Sequence, residues 1–151
     1  MLIRHATLTD AGRAKDIVFA CLRSYGLEPD PEGLDADIFA FGAAKAGADD
    51  LVAEVDGTVA GICALSARGR HVGWVAKLFV DAAYRKRGIG RALLARAIDQ
   101  GRARGYQRLQ LRTRSIFREA IALYESTGWQ RGADPPREIG PDRTYAFDLL
   151  T

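Results

Sequence analysis

The sequence predicts an α+β fold, a single mixed β-sheet flanked by about four helices, and three observations carry that expectation. Apolar runs of strand length and of helical period follow one another in the order β-α-α-β-β-β-α-β-α-β. Asp56-Gly57 between two apolar runs is a strong hairpin signal, which makes part of the sheet antiparallel. Val72 to Val80, apolar but for Lys77, leads into a helix and then another strand, and such a crossover makes another part parallel.

Residues 2–7 alternate weakly and read as a first strand, followed by a helix capped around Thr7 to Asp10 and running through Leu22. Tyr25 to Gly33 is a polar Pro/Gly stretch that cannot continue it. A second, shorter helix is expected over Asp35 to Lys45. Leu51 to Val55 and Thr58 to Leu65 are the arms of the hairpin, and Arg68-Gly69-Arg70 makes the next turn. The third helix is expected from Gly88 to Arg104, with Ile89, Leu93, Leu94, Ala97 and Ile98 inward and Gly105 as its stop. Tyr106 to Thr113 alternates with Leu109 and Leu111 inward. A fourth helix from Ser115 to Thr127 ends at Gly128, and Thr144 to Leu150 supplies the last strand.

A chain of 151 residues reads as one domain, residues 1–151, long enough to bury a core without staples. With 48% hydrophobic and 27% charged residues it has the balance of a soluble globular protein rather than a disordered one. Cys21, Cys63, His5 and His71 are too scattered to give a metal-ligand spacing, so no metal is expected. The first residues lack the order of a signal peptide and no apolar run reaches membrane length, so a cytoplasmic protein without a membrane partner is the expectation. A net charge of +3, spread along predicted helices, lacks the concentrated basic face that nucleic acid requires. The sequence leaves the oligomeric state open, a homodimer included.

The most informative stretch is Arg85-Lys86-Arg87-Gly88-Ile89-Gly90-Arg91, between the central strand and the third helix. Amides at a helix start have no intrahelical partner and carry the positive end of the dipole, so they bind phosphate. Glycine at 88 and 90 lets the main chain approach such a guest, and the basic side chains add full charges. Alone, the pattern also describes a charged strand-to-helix turn with a glycine cap. A dinucleotide fingerprint would need a small residue in place of Leu93, and a P-loop would need Lys-Ser/Thr in place of Arg91-Ala92. Neither fits.

Over essentially the whole chain, element order and motifs resemble the GNAT superfamily of acyl-CoA-dependent N-acyltransferases. Leu78-Phe79-Val80 followed by R-x-x-G-x-G at Arg85 to Gly90 is similar to the family's signature. Tyr124 followed by Gly128-Trp129 resembles its second mark, and Tyr25 to Asp30 is similar to one subgroup. The resemblance implies acetyl-CoA as cosubstrate, its diphosphate at Arg85, Lys86, Arg87, Gly88, Ile89, Gly90 and Arg91, and its amide arm along Phe79 and Val80. It implies that the Leu78 N–H polarises the thioester carbonyl. It also implies that Tyr124, with an ordinary phenol pKa of about 10, protonates the departing thiolate. A tyrosine there would equally bury its ring and expose its hydroxyl for structural reasons alone.

Departures from the family pattern mark the open questions. Trp74 stands where a carboxylate base is often found on the central strand, leaving His71, Glu54 or a water chain as proton acceptors. Phe117 replaces an asparagine that often contacts the cofactor, so Ser115 or the backbone would substitute. Glu28, Asp30, Glu32, Asp35 and Asp37 fall in a region that forms the acceptor side in this family; they fit either attraction of a cationic amine or solvated turns and caps. Trp74, if it faces the cleft, favours an apolar or aromatic acceptor. The function expected is acetyl transfer to a primary amine of a small molecule. A peptide or protein amine is the nearest alternative, and an acyl-CoA-binding module without turnover is an alternative of another class.

Overall fold

The computed structural model describes residues 1–135 and 140–150, and within them seven strands form one sheet. They are β1 (Leu2–His5), β2 (Asp49–Val55), β3 (Thr58–Ala67), β4 (Val72–Val80), β5 (Arg108–Thr113), β6 (Gln130–Arg131) and β7 (Arg143–Asp148). Their spatial order is β1-β2-β3-β4-β5-β7-β6. All neighbours are antiparallel except β4 and β5, which are joined by the crossover helix. That single parallel pair is the one the Val72-to-Val80 run predicts.

Three α-helices cover the sheet: α1 (Ala11–Ser24), α2 (Ile89–Ala103) and α3 (Arg118–Ser126). The inward stripe of α2 is the expected one, with Ile89, Leu93, Leu94 and Ala97 buried against Leu51, Val75 and Leu109. On the opposite face, Ile17 and Val18 of α1 pack with Ile38, Phe41, Val52 and Ile62. Full burial of such a side chain contributes about 2 kcal/mol. The entry to α1 is fixed by charge: Asp10 accepts the Thr7 N–H at 2.8 Å and hydrogen bonds from the two terminal guanidinium nitrogens of Arg4, at 2.9 and 3.0 Å. The Arg4 hydrogen bonds hold the Asp10 carboxyl below the usual carboxylate range, outweighing the opposing effect of burial.

The structure corrects several expected boundaries. Asp35 to Lys45 is not an α-helix; only Ala36–Ala40 coils, as a 3-10 turn. Ile38 and Phe41, three apart, both sink into the α1 core, which the tighter coil permits. Gly42 then takes φ +91° so close to the Thr7 carbonyl that a Cβ would lie 2.1 Å from its oxygen, so no helix passes through this point. The fourth predicted helix begins at Arg118 rather than Ser115. Ser115 instead binds Asp142 through its N–H and its hydroxyl, both at 2.7 Å. The short strand β6, pairing Gln130 with Ala146 and Arg131 with Tyr145, was not anticipated.

Candidate active site

The site begins with a fault in the middle of the sheet. Ala64 of β3 faces Ala76 of β4, and Ile62 faces Phe79, so Lys77 and Leu78 together oppose Cys63 alone. That is a β-bulge, and Lys77 absorbs it with φ +55°, a left-handed conformation that costs a side-chain-bearing residue about 1–2 kcal/mol. On the other edge, β4 pairs with β5 only from Val72–Arg108 to Trp74–Gln110. Beyond Trp74 the two strands part. Leu78 consequently has no register partner on either side.

A cleft of about 350 Å³ opens beside the parted end of β4. Leu78, Phe79 and Val80 form one wall, and Tyr84 with the loop from Arg85 to Gly88 continues it into the start of α2. Cys21 and Tyr25 of the α1 end and Glu119 and Leu123 of α3 close the far side. Asp81 anchors the approach to the loop, accepting the Ala83 N–H at 3.0 Å and pairing with Arg13. The Ala83 hydrogen bond and the Arg13 charge hold its carboxyl below the usual range despite partial burial.

In the loop, Lys86 and Gly88 take φ +62° and +76°, turning the chain so that α2 starts at Ile89. The first closed bond there runs from the Ala92 N–H to the Gly88 carbonyl at 3.0 Å, leaving the amides of 89–91 without helical acceptors. The two glycines differ in what requires them. Gly88 needs its left-handed φ. Gly90 has no such φ, and a Cβ there would meet only Leu123 and Val80, at an ordinary 3.5 and 3.7 Å. Nothing among the described residues demands glycine at 90, so the space its missing Cβ leaves suits close approach of a guest such as a diphosphate. The donor set fits that guest: bare amides, Arg85, Lys86 and Arg91.

A second cleft of about 280 Å³ shares Leu78, Phe79, Phe117 and Ala120 with the first, so the two meet at the bulge. Tyr124 of α3 borders the second cleft with its ring packed 5.8 Å from Trp129 and 5.6 Å from Tyr145. Its hydroxyl makes no hydrogen bond to another described residue. Burial pushes the phenol above its ordinary range, so it holds its proton at neutral pH. Trp74 also borders this cleft, with the Arg68 guanidinium 4.1 Å from its ring centroid. Asp35 and Asp37 also line this cleft.

Most residues singled out by sequence converge on the first cleft: Leu78, Phe79, Val80, Arg85, Lys86, Gly88, Ile89, Gly90, Arg91 and Phe117 all border it. Arg87 does not; it is exposed, its guanidinium 5.2 Å from the Tyr84 ring centroid. Ser115 does not either, being held by Asp142. Phe117 takes the place expected of a polar contact by stacking, 5.0 Å from Tyr25 and 5.9 Å from Phe79. Neither His71 nor Glu54, the side chains the sequence offered as base, lines either of these two clefts. His71 is exposed in the turn at the far end of β4, and Glu54 accepts from Arg4 at 3.0 Å. Of the acidic run only Asp35 and Asp37 reach the second cleft. Sequence reading missed Arg112 and Arg114 there, whose signal was their place at and just after the end of a strand that parts from its neighbour.

Comparison with known proteins agrees with this geometry. Residues 15–129 match the family model described as acetyltransferase (GNAT) family. Over 50 residues the chain is 48% identical to the [ribosomal protein bS18]-alanine N-acetyltransferase of Escherichia coli, covering 33% of this chain and 34% of that protein. It is 32% identical over 91 residues to an uncharacterized N-acetyltransferase of Bacillus subtilis, 59% of this chain and 60% of the relative. The chain thus spans only about a third of the length of the first of these relatives. Among solved structures, a GNAT-family acetyltransferase from Staphylococcus aureus superposes with a TM-score of 0.88 at 18% identity, covering 98% of both chains. A ribosomal-protein-alanine N-acetyltransferase from Brucella melitensis does so at 0.74 and 25% identity, covering 99% of this chain and 100% of that one.

Proposed function

The chain belongs to the GNAT acetyltransferase family, and from that premise we propose that it transfers an acetyl group from acetyl-CoA to a primary amine of a small molecule. The observation that carries this reading is the meeting of the two clefts at Leu78, where β4 is bulged on one edge and unpaired on the other. Bound acetyl-CoA supplies an activated acyl group as its thioester. The chain's own groups do the rest.

The amides of Ile89, Gly90 and Arg91, with Arg85 and Lys86, hold the diphosphate, and the unpaired edge of Phe79 and Val80 receives the amide arm as an added strand would. The Leu78 amide, free of a register partner, donates to the acyl carbonyl oxygen as charge gathers on it. Tyr124, kept protonated by burial, supplies the proton to the departing sulfur. Arg87 and Ser115 act outside the contact set, and Phe117 covers the arm by stacking rather than by hydrogen bonding. With Trp74 on β4, the proton released by the attacking amine leaves through water on the side of the second cleft that carries Asp35 and Asp37.

A peptide amine is the second reading, favoured by the similarity to the bS18-alanine N-acetyltransferase; the modest volume of the second cleft favours the small acceptor. The test is acetyl-CoA in a thermal melt, followed by an amine screen for thiol release. A ligand bound at 100 times its Kd stabilises by about 2.7 kcal/mol, so a clear rise in Tm is expected. No rise removes the CoA assignment. A rise with no transfer to any small or peptide amine leaves the binding module and removes the enzyme.

A further inference from the structure

The second cleft is charged asymmetrically. Among its acidic residues Asp37 is paired with Lys77, and Asp35 accepts the Asp30 N–H at 2.7 Å. Asp142, next to the lining residue Pro141, is taken up by Ser115. Arg112 and Arg114 line the same cleft, and neither makes an ion pair or a side-chain hydrogen bond with another described residue. Both follow Gln110, the last β5 residue paired to β4, so they flank the opening that Leu78 and Tyr124 also border. Arg112 is exposed, 6.0 Å from the Trp74 ring centroid, whereas Arg114 is half-buried in a cleft whose lining also includes Leu22, Ile38 and Phe79. A guanidinium partly removed from water gains most from a carboxylate, which its planar fork binds bidentately.

Building on the acetyl-transfer reading, we propose that the acceptor amine carries a carboxylate, bound by Arg112 and Arg114 while the amine points to the bulge. The apolar and aromatic lining takes the body of the acceptor between these two ends. The carboxylate has two sources, a free amino-acid-like compound or an acidic side chain of a peptide, and the two are separable.

The experiment is calorimetric titration of the CoA-saturated protein with L-phenylalanine, with phenethylamine, which lacks only the carboxylate, and with the peptide Ala-Glu-Glu-amide. L-phenylalanine or the acidic peptide is expected to bind at least about tenfold tighter than phenethylamine, and whichever is tighter names the source. In Arg112→Gln/Arg114→Gln that preference is expected to vanish, while Arg102→Gln, on the outer face of α2, keeps it. Equal or tighter binding of phenethylamine, survival of the preference in the double variant, or no binding of either acid overturns the inference. Because binding is read without turnover, failure here is distinct from failure of the transfer reading, which the acetyl-CoA melt of the same variants decides.

Discussion

Lys77, the bulged residue of β4, is ion-paired to Asp37 of the 3-10 turn that walls the second cleft. One residue thus carries the backbone distortion at Leu78 and ties the 3-10 turn beside the second cleft to the central strand. Lys77→Gly removes the left-handed penalty but also the ion pair and the mostly buried Lys77 stem, so its stability is expected to stay within about 1 kcal/mol of wild type. Lys77→Val, whose branched side chain resists that φ, is expected to lose about 2 kcal/mol and to reduce transfer more than CoA affinity. Denaturant melts and kinetics on the two variants check both.

The two cradle glycines should separate stability from binding. Gly88→Ala strains a φ of +76° and is expected to cost about 1–2 kcal/mol. Gly90→Ala meets only ordinary contacts among the described residues and improves helix propensity, so its Tm should hold or rise. On the proposed placement of the diphosphate its CoA affinity should nonetheless fall by about tenfold or more, because the new methyl would stand in the way of that approach. Calorimetry with CoA, paired with thermal melts, reads the two effects apart.

Tyr124→Phe leaves the packing against Trp129 and Tyr145 in place and removes a hydroxyl that no described residue uses. Stability and CoA affinity should stay near wild type while kcat drops by about a hundredfold. An undiminished kcat would confine Tyr124 to a packing role.

Asp10 links pH to stability. Its folded-state pKa lies below the unfolded value of about 3.9, so its contribution is full above that value and is lost as pH falls through the lower folded pKa. Asp10→Asn is expected to cost about 2 kcal/mol at pH 7. The gap between variant and wild type should then close below about pH 4. Melts from pH 7 to 3 measure it.

What the sequence made legible was periodic or punctuated. The helical stripe of Ile89, Leu93 and Ala97, the Asp56-Gly57 hairpin and the glycine-spaced start of α2 each follow from local chemistry, and each stands as expected. The bulge at Lys77 left no such trace, because it arises from pairing between β3 and β4 and falls on a residue with no preference for left-handed backbone. The Asp35-to-Lys45 segment misled for a related reason. Its apolar spacing suits a helix, and only the approach of Gly42 to Thr7, from 35 residues earlier in the chain, forbids one. The second cleft was visible only in part, through the acidic run that holds Asp35 and Asp37 and the question of where Trp74 faces, since Arg112 and Arg114 join it through the parting of β4 from β5.

The most direct test of the account is amide NMR during titration with CoA and, separately, with acetyl-pantetheine, which lacks the diphosphate. Resonances of Ile89, Gly90 and Arg91 should move with CoA and stay still with acetyl-pantetheine, while Leu78 and Phe79 respond to both. Still amides at 89–91 in the presence of saturating CoA, or the same movement with the truncated compound, would contradict it.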